Sequence, residues 1–155
     1  MTEAAHTHHD ETSLMRSAVQ ATMHCLMGCA IGEVLGMVVA TAFGLGNALS
    51  IAISVVLAFA FGYSLTLRPV LAAQVPFRRA LRVALASDTV SITTMDIVDN
   101  AFIIFVPGAL AAGLGDALFW WSLAVSLVIA FVVTVPVNWW LIARGRGHAV
   151  MLEFH

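Results

Sequence analysis

Four apolar segments, each long enough to cross a lipid bilayer, dominate this chain and leave few folds open to it. About 20 residues span the hydrocarbon core as a helix, and a helix satisfies its own backbone hydrogen bonds where no water can. The segments fall near Ser17–Phe43, Ala48–Leu67, Arg82–Phe105 and Phe119–Ile142. Breakers separate them: Gly44-Leu45-Gly46-Asn47 after the first, Arg68-Pro69 after the second and Pro107-Gly108 after the third. With 61% hydrophobic and only 10% charged residues, the chain lies far below the roughly 25% charge of a soluble domain. The expected fold is all-α, a polytopic membrane protein of four transmembrane helices. Residues 1–16 are expected to form a disordered His-containing tail, 17–143 the transmembrane domain and 144–155 a cytoplasmic C-terminal tail.

Arginine placement sets the expected orientation. Every basic residue is an arginine: Arg16 before the first segment, Arg68, Arg78, Arg79 and Arg82 between the second and third, Arg144 and Arg146 after the fourth. In an up-and-down bundle all of these share one side, and the positive-inside rule puts both termini in the cytoplasm. The first fifteen residues, MTEAAHTHHDETSLM, have neither the basic start nor the apolar core of a secretory signal, so the first span is expected to insert and stay. Trp120/Trp121 and Trp139/Trp140 bracket the fourth segment at about 28 Å, taking 1.5 Å per residue, the separation of two interfacial aromatic belts. The link Val70–Leu81 is expected to form a short interfacial helix. The stripe Gly28-xxx-Gly32-xxx-Gly36-xxx-Ala40 lets another helix approach closely and is expected to carry a homo-oligomer.

Polar residues inside the apolar segments carry the functional signal. In the third segment, RVALASDTVSITTMDIVDNAFIIF, Asp88, Asp96 and Asp99 fall within one stripe at 100° per residue, with Ser91 and Met95 beside it. In the first, Cys25, Cys29 and Glu33 repeat every fourth residue. Both segments run away from the cytoplasmic face, so counting from their starts places His24 and Cys25 level with Asp88, Cys29 with Met95 and Asp96, and Glu33 with Asp99. Intramembrane acids usually face a bundle interior and mark an ion or proton path. With no lysine or arginine at that depth, a shared proton or a bound cation is expected at Glu33/Asp99. The alternative is helix-to-helix hydrogen bonding between neutral acids.

The sulfurs and imidazole suggest which cation. Thiolate, thioether and imidazole favour soft or borderline ions such as Cu(I) and zinc, and Cys25 and Cys29, one turn apart, can grip one metal jointly. Cys25 and Cys29 are therefore the expected ligands, with His24 or Met95 as a third. The tails add His6, His8 and His9 at one end and His148 and His155 at the other, short tracts of a kind that capture metal. No phosphate loop, nucleophile–base context or HExxH occurs, and the basic patch is too short for nucleic acid. An enzyme is not the favoured expectation.

At HCLMGCAIGEVLGM, FGYSLTLRP, SDTVSITTMDIVDNA and PVNWWLIARGRGHAV, the chain resembles a bacterial four-helix membrane family known as a domain of unknown function (DUF4396-like). The resemblance runs from about Ala21 to Val150. It implies a small integral-membrane protein, and it supplies no catalytic residues.

The leading expectation is an inner-membrane protein that binds or transports a cation, foremost a soft metal ion, with copper or zinc as its cofactor or cargo. Glu33, Asp88, Asp96 and Asp99 would couple protons or balance charge. Two alternatives stand beside it: a membrane thiol redox protein cycling Cys25 and Cys29, and a proton or cation conduit or structural subunit that uses no sulfur.

Overall fold

The computed structural model describes residues 2–72 and 76–144. Over them the chain is all-helical: α1 (Thr2–Phe43), α2 (Asn47–Ala72), α3 (Phe77–Phe105), a 3-10 turn (Ala109–Ala111) and α4 (Ala117–Ala143). Within the described residues α1, α2 and α4 are long and apolar enough to cross a membrane, over Glu11–Phe43, Asn47–Arg68 and Ala117–Ala143. Helix α3 is long enough at 29 residues, but its arginines and aspartates keep its mean hydropathy below theirs.

Two boundaries differ from the expectation. Helix α1 starts at Thr2, ahead of the Ser17 start expected for the first span. The Val70–Leu81 link is not a separate interfacial helix: α2 continues to Ala72 and α3 begins at Phe77. In both places the chain extends an existing helix, which adds one backbone hydrogen bond per residue, rather than nucleating a new one at a cost.

Turn chemistry closes the other end of the bundle. Gly44 adopts φ +63, while Leu45 N–H donates to Ala40 O at 2.9 Å and Gly44 N–H to Thr41 O at 3.3 Å. That is a Schellman cap, and its left-handed residue favours glycine. Gly108, at φ +83, turns the chain after Pro107 ends α3, and Asp116 stands at the N-cap position of α4, its Oδ2 accepting not from that helix but from Gly113 N–H at 2.7 Å.

The helices form a square. Helix α1 packs on α2 and α4, α3 packs on the same two, and α1 and α3 face each other across the diagonal. The glycine stripe of α1 is consumed inside this square. A Cβ on Gly28 would lie 2.8 Å from the Gly62 backbone, one on Gly32 would lie 2.6 Å from Ala58 Cα, and one on Gly36 would lie 2.7 Å from Ser54 Cα. Each step of four residues along α1 meets a step of four back along α2. The face expected to carry a homo-oligomer is therefore the intramolecular α1–α2 seam, because a surface already packed on one helix cannot receive another.

Polarity is arranged inside out. The centre holds Cys25, Cys29, Ala58, Ile92, Met95 and Ala130, together with buried Thr22, Asp88, Ser91, Asp99, Ser126, Thr134 and Asn138. The outer surface carries large apolar side chains from every helix, among them Val38, Val56, Ile97 and Val132. All four tryptophans lie on that surface, Trp120 donating to Leu114 O and the Trp140 ring lying under the Arg144 guanidinium at 4.1 Å.

Gly32→Val should lower stability in detergent by about 2 kcal/mol or more, since the added atoms meet backbone that cannot yield. Gly46→Ala, with open space around the new Cβ, should stay within about 0.5 kcal/mol. Thermal unfolding followed by circular dichroism compares the two; equal effects would show that the seam tolerates bulk.

Candidate functional site

Helices α1 and α3 are parallel neighbours across the diagonal, and their polar stripes meet in register. Cys29 Sγ–H points to Met95 Sδ at 4.0 Å. One turn toward the Gly44–Asn47 turn, the Glu33 carboxyl neighbours that of Asp99, with Asp96 nearby. One turn the other way, Cys25 lies beside Ser91 and Asp88. The same spacing thus joins three pairs of side chains, because two parallel helices with polar residues every fourth position keep their register over several turns.

The carboxyl pair is the most unusual feature. Asp99 is 2% exposed, and neither of its oxygens, nor either oxygen of Glu33, meets a hydrogen-bond partner among the described residues. Glu33 is half-buried as a residue, but its carboxyl oxygens are shielded. Asp96 sits beside the Cys29 thiol with its Oδ2 unpartnered. Buried polar atoms are nearly always satisfied, and an orphan calls for an unplaced proton, ion or water. Two ionised carboxylates in contact repel strongly in a low-dielectric interior, so Glu33 and Asp99 do not both stay ionised there without a counter-charge.

These acids line the inner end of a cavity of about 300 Å³. It extends past Asn100, Ser50, Ser54 and Ser122 toward the Gly44–Asn47 turn and the 3-10 segment. Met37, Ile51, Val55, Ile103, Phe119 and Leu123 add apolar surface to its walls. The opposite end of the bundle carries exposed Arg16, Arg68, Arg78 and Arg144, and there the axis is closed by a polar knot. Asn138 Nδ2–H donates to Thr22 Oγ1 at 2.8 Å, Ser91 Oγ–H donates to Asn138 Oδ1, and Thr22 Oγ1–H donates to Ala18 O at 2.7 Å. One amide therefore ties α1, α3 and α4 together. Cavity, sulfur contact and knot follow one another along the axis.

The structure separates some residues that the sequence placed together. His24 points outward, exposed, with its Nδ1 2.9 Å from Gln20 O, so it does not join Cys25 and Cys29; a helix turns 100° per residue, and the neighbour of a buried position looks away from it. No group of three His, Cys, Asp or Glu side chains converges as a metal site among the described residues. Both cysteines are free thiols, 2% and 1% exposed. His6, His8 and His9 lie on the first turns of α1; His148 and His155 lie outside the described residues.

Other partners were missed in the sequence. Asn138 and Thr134 belong to a buried α4 row with Ser122, Ser126 and Ala130, one every fourth residue. That row, and the Ser54, Ala58, Gly62 row on α2 that receives the glycines, are visible as periodic small and polar residues. High overall apolarity hid them.

The chain belongs to the family described as Domain of unknown function (DUF4396), whose model matches residues 15–147. The match takes in the whole Cys25–Glu33 and Asp88–Asp99 region and leaves His6, His8, His9, His148 and His155 outside it. No curated protein and no solved structure matches the chain.

Removing the knot should cost stability without touching the acids. Asn138→Ala should lose about 1–2 kcal/mol for its two interhelical bonds, measured by unfolding in detergent. Ser64→Ala, which removes an exposed bond within its own helix, should lose almost nothing. Equal losses would mean that the knot holds nothing together.

Proposed function

We propose that this chain is a multi-pass protein of the bacterial inner membrane that binds, and passes, a cation at Glu33 and Asp99, with Asp96 beside them. The observation that carries this reading is the shielded, unpartnered carboxyl pair at the inner end of a cavity. Charged or ionisable groups inside a membrane bundle are costly to maintain and mark ion or proton paths.

In this proposal α3 is the fourth span. Its polar residues Asp88, Ser91, Asp96 and Asp99 are buried, whereas Leu85, Val90, Ile97, Ile104 and Phe105 are exposed. An average over the helix therefore understates how apolar its outer face is. Four spans bring both termini and the arginines to the cytoplasmic side, and the cavity then opens to the far side. The polar knot at Asn138 is the closed gate on the arginine side, and passage requires it to part. Pro136, within α4 and two residues from Asn138, has no N–H to donate to the Val132 carbonyl one turn back, a natural place for the helix to bend.

A second reading, a soft metal such as Cu(I) as the cation, is favoured by one contact. Cys29 Sγ and Met95 Sδ lie 4.0 Å apart beside Asp96, which offers a thiol and a thioether to one ion. Cys25, a turn away, would be the next ligand on the path. In that case the ion passes from the carboxylates to the sulfurs.

Reconstitution into vesicles with an internal pH or cation indicator tests both readings. Wild-type protein should conduct, and Asp99→Asn and Glu33→Gln should each reduce flux by about tenfold or more, since each removes a buried charge partner of the cation. Cys29→Ser with Met95→Leu should abolish a copper signal under reducing conditions if the metal reading holds, and should leave proton or sodium flux intact if it does not. Unchanged flux in both acid variants would reject the acidic path.

A further inference from the structure

The cavity at the carboxyl pair is far larger than a proton or a bare metal ion needs. Its volume of about 300 Å³ compares with about 30 Å³ for one water in the liquid, and it falls at the lower edge of the range for small-molecule pockets. A dedicated metal site draws its ligands to about 2.0–2.6 Å from one point, and no three His, Cys, Asp or Glu side chains converge that way among the described residues. The cavity lining divides between polar and apolar groups: Asp99, 2% exposed and with both oxygens unpartnered, lines it with Glu33 and Asp96, Ser50, Ser54, Asn100 and Ser122 add hydroxyls and an amide, and Ile51, Val55 and Phe119 add apolar surface.

From this division we infer that the site takes a small organic ammonium ion, a primary amine with a compact apolar body. The inference rests on the cation-binding reading and names the class of cation. An ammonium head carries three donors, enough to satisfy orphaned oxygens on both Asp99 and Glu33, and its single charge balances the pair when one of the two carboxyls keeps its proton. A hydrocarbon body of roughly eight heavy atoms fills the space between the apolar walls and replaces water that those walls hold poorly. Phe119 adds an aromatic surface at the cavity, favourable to a cation or to an aryl group. A hydrated alkali ion would leave the apolar walls in contact with water, and a desolvated one would leave most of the volume empty.

Calorimetric titration of the purified full chain in lipid nanodiscs tests this with four probes: phenethylammonium chloride, its uncharged counterpart 2-phenylethanol, sodium chloride, and Cu(I) held reduced. Phenethylammonium should bind and 2-phenylethanol should not. Asp99→Asn should weaken the amine by about thirtyfold or more, the usual result of removing one member of a buried charge pair. Ser122→Leu keeps every carboxylate, and among the described residues Ser122 bonds to the Leu118 and Phe119 carbonyls of its own helix. By filling the cavity it should weaken the amine about tenfold or more, so the inference remains testable if Asp99→Asn fails to fold. Equal binding of amine and alcohol, or amine binding unchanged in either folded variant, would overturn the inference. No amine binding alongside sodium or Cu(I) binding that depends on Asp99 would reject the organic class and leave the cation reading standing. Binding of no cation at all would remove both.

Discussion

A bundle clad in apolar side chains has one place to put polar groups, and that is its own axis. This constraint organises the whole molecule. Helix α3 carries Asp88, Ser91, Asp96 and Asp99, and turning them inward leaves Ile97, Ile104 and Phe105 outside. Helix α1 then has to present something compatible along the diagonal, and it presents Cys25, Cys29 and Glu33. Helix α4 supplies hydroxyls and an amide, and α2 adds Ser50 and Ser54 at the cavity and a buried Thr66. Its part is also to lie close against α1 so that the square can close, which the glycines at 28, 32 and 36 permit.

Along the axis the polar groups are treated unequally. At the arginine-bearing end Asn138 is satisfied by both Thr22 and Ser91. A satisfied buried network is rigid and specifies one arrangement of three helices. In the middle, Cys29 and Met95 make a soft, weakly polar contact, which needs little compensation. Toward the cavity, Glu33 and Asp99 have no donor among the described residues. Stability therefore concentrates where the axis is closed, and unmet hydrogen-bonding capacity concentrates where it opens. A fold that places its unsatisfied groups at the floor of a cavity has them where a ligand can reach them, and this gradient is what makes the acidic end the proposed site.

The sulfur and carboxyl parts of the path have different physical demands. A thiol and a thioether sit in an apolar core as ordinary packing groups, so their burial alone says little. A pair of carboxyls does not, because neither ionised member finds compensation from a neighbour of the same sign. The acids are thus the stronger functional pointer, although the cysteines catch the eye first in HCLMGC. The outward placement of His24 reinforces this ordering, since it removes the one imidazole that would have joined thiols and acids into a single ligand set.

Much of this was determined by the sequence alone. Apolar runs and breakers marked the helices, with ends at Phe43 and Phe105 that recur in the structure, because helix propagation and termination are local. Fourfold spacing of Cys25, Cys29 and Glu33 and the stripe of Asp88, Asp96 and Asp99 marked the axial faces, because helical periodicity is local too. The tertiary structure decided what each face meets. A stripe of glycines announces a close neighbour without naming it, and the partner proved to be α2 of the same chain. Asn138 became the centre of a three-helix knot only once α4 was seated, and no spacing on one helix encodes that. The cavity depends on how four helix ends diverge around two turns, and an empty volume belongs to no residue at all.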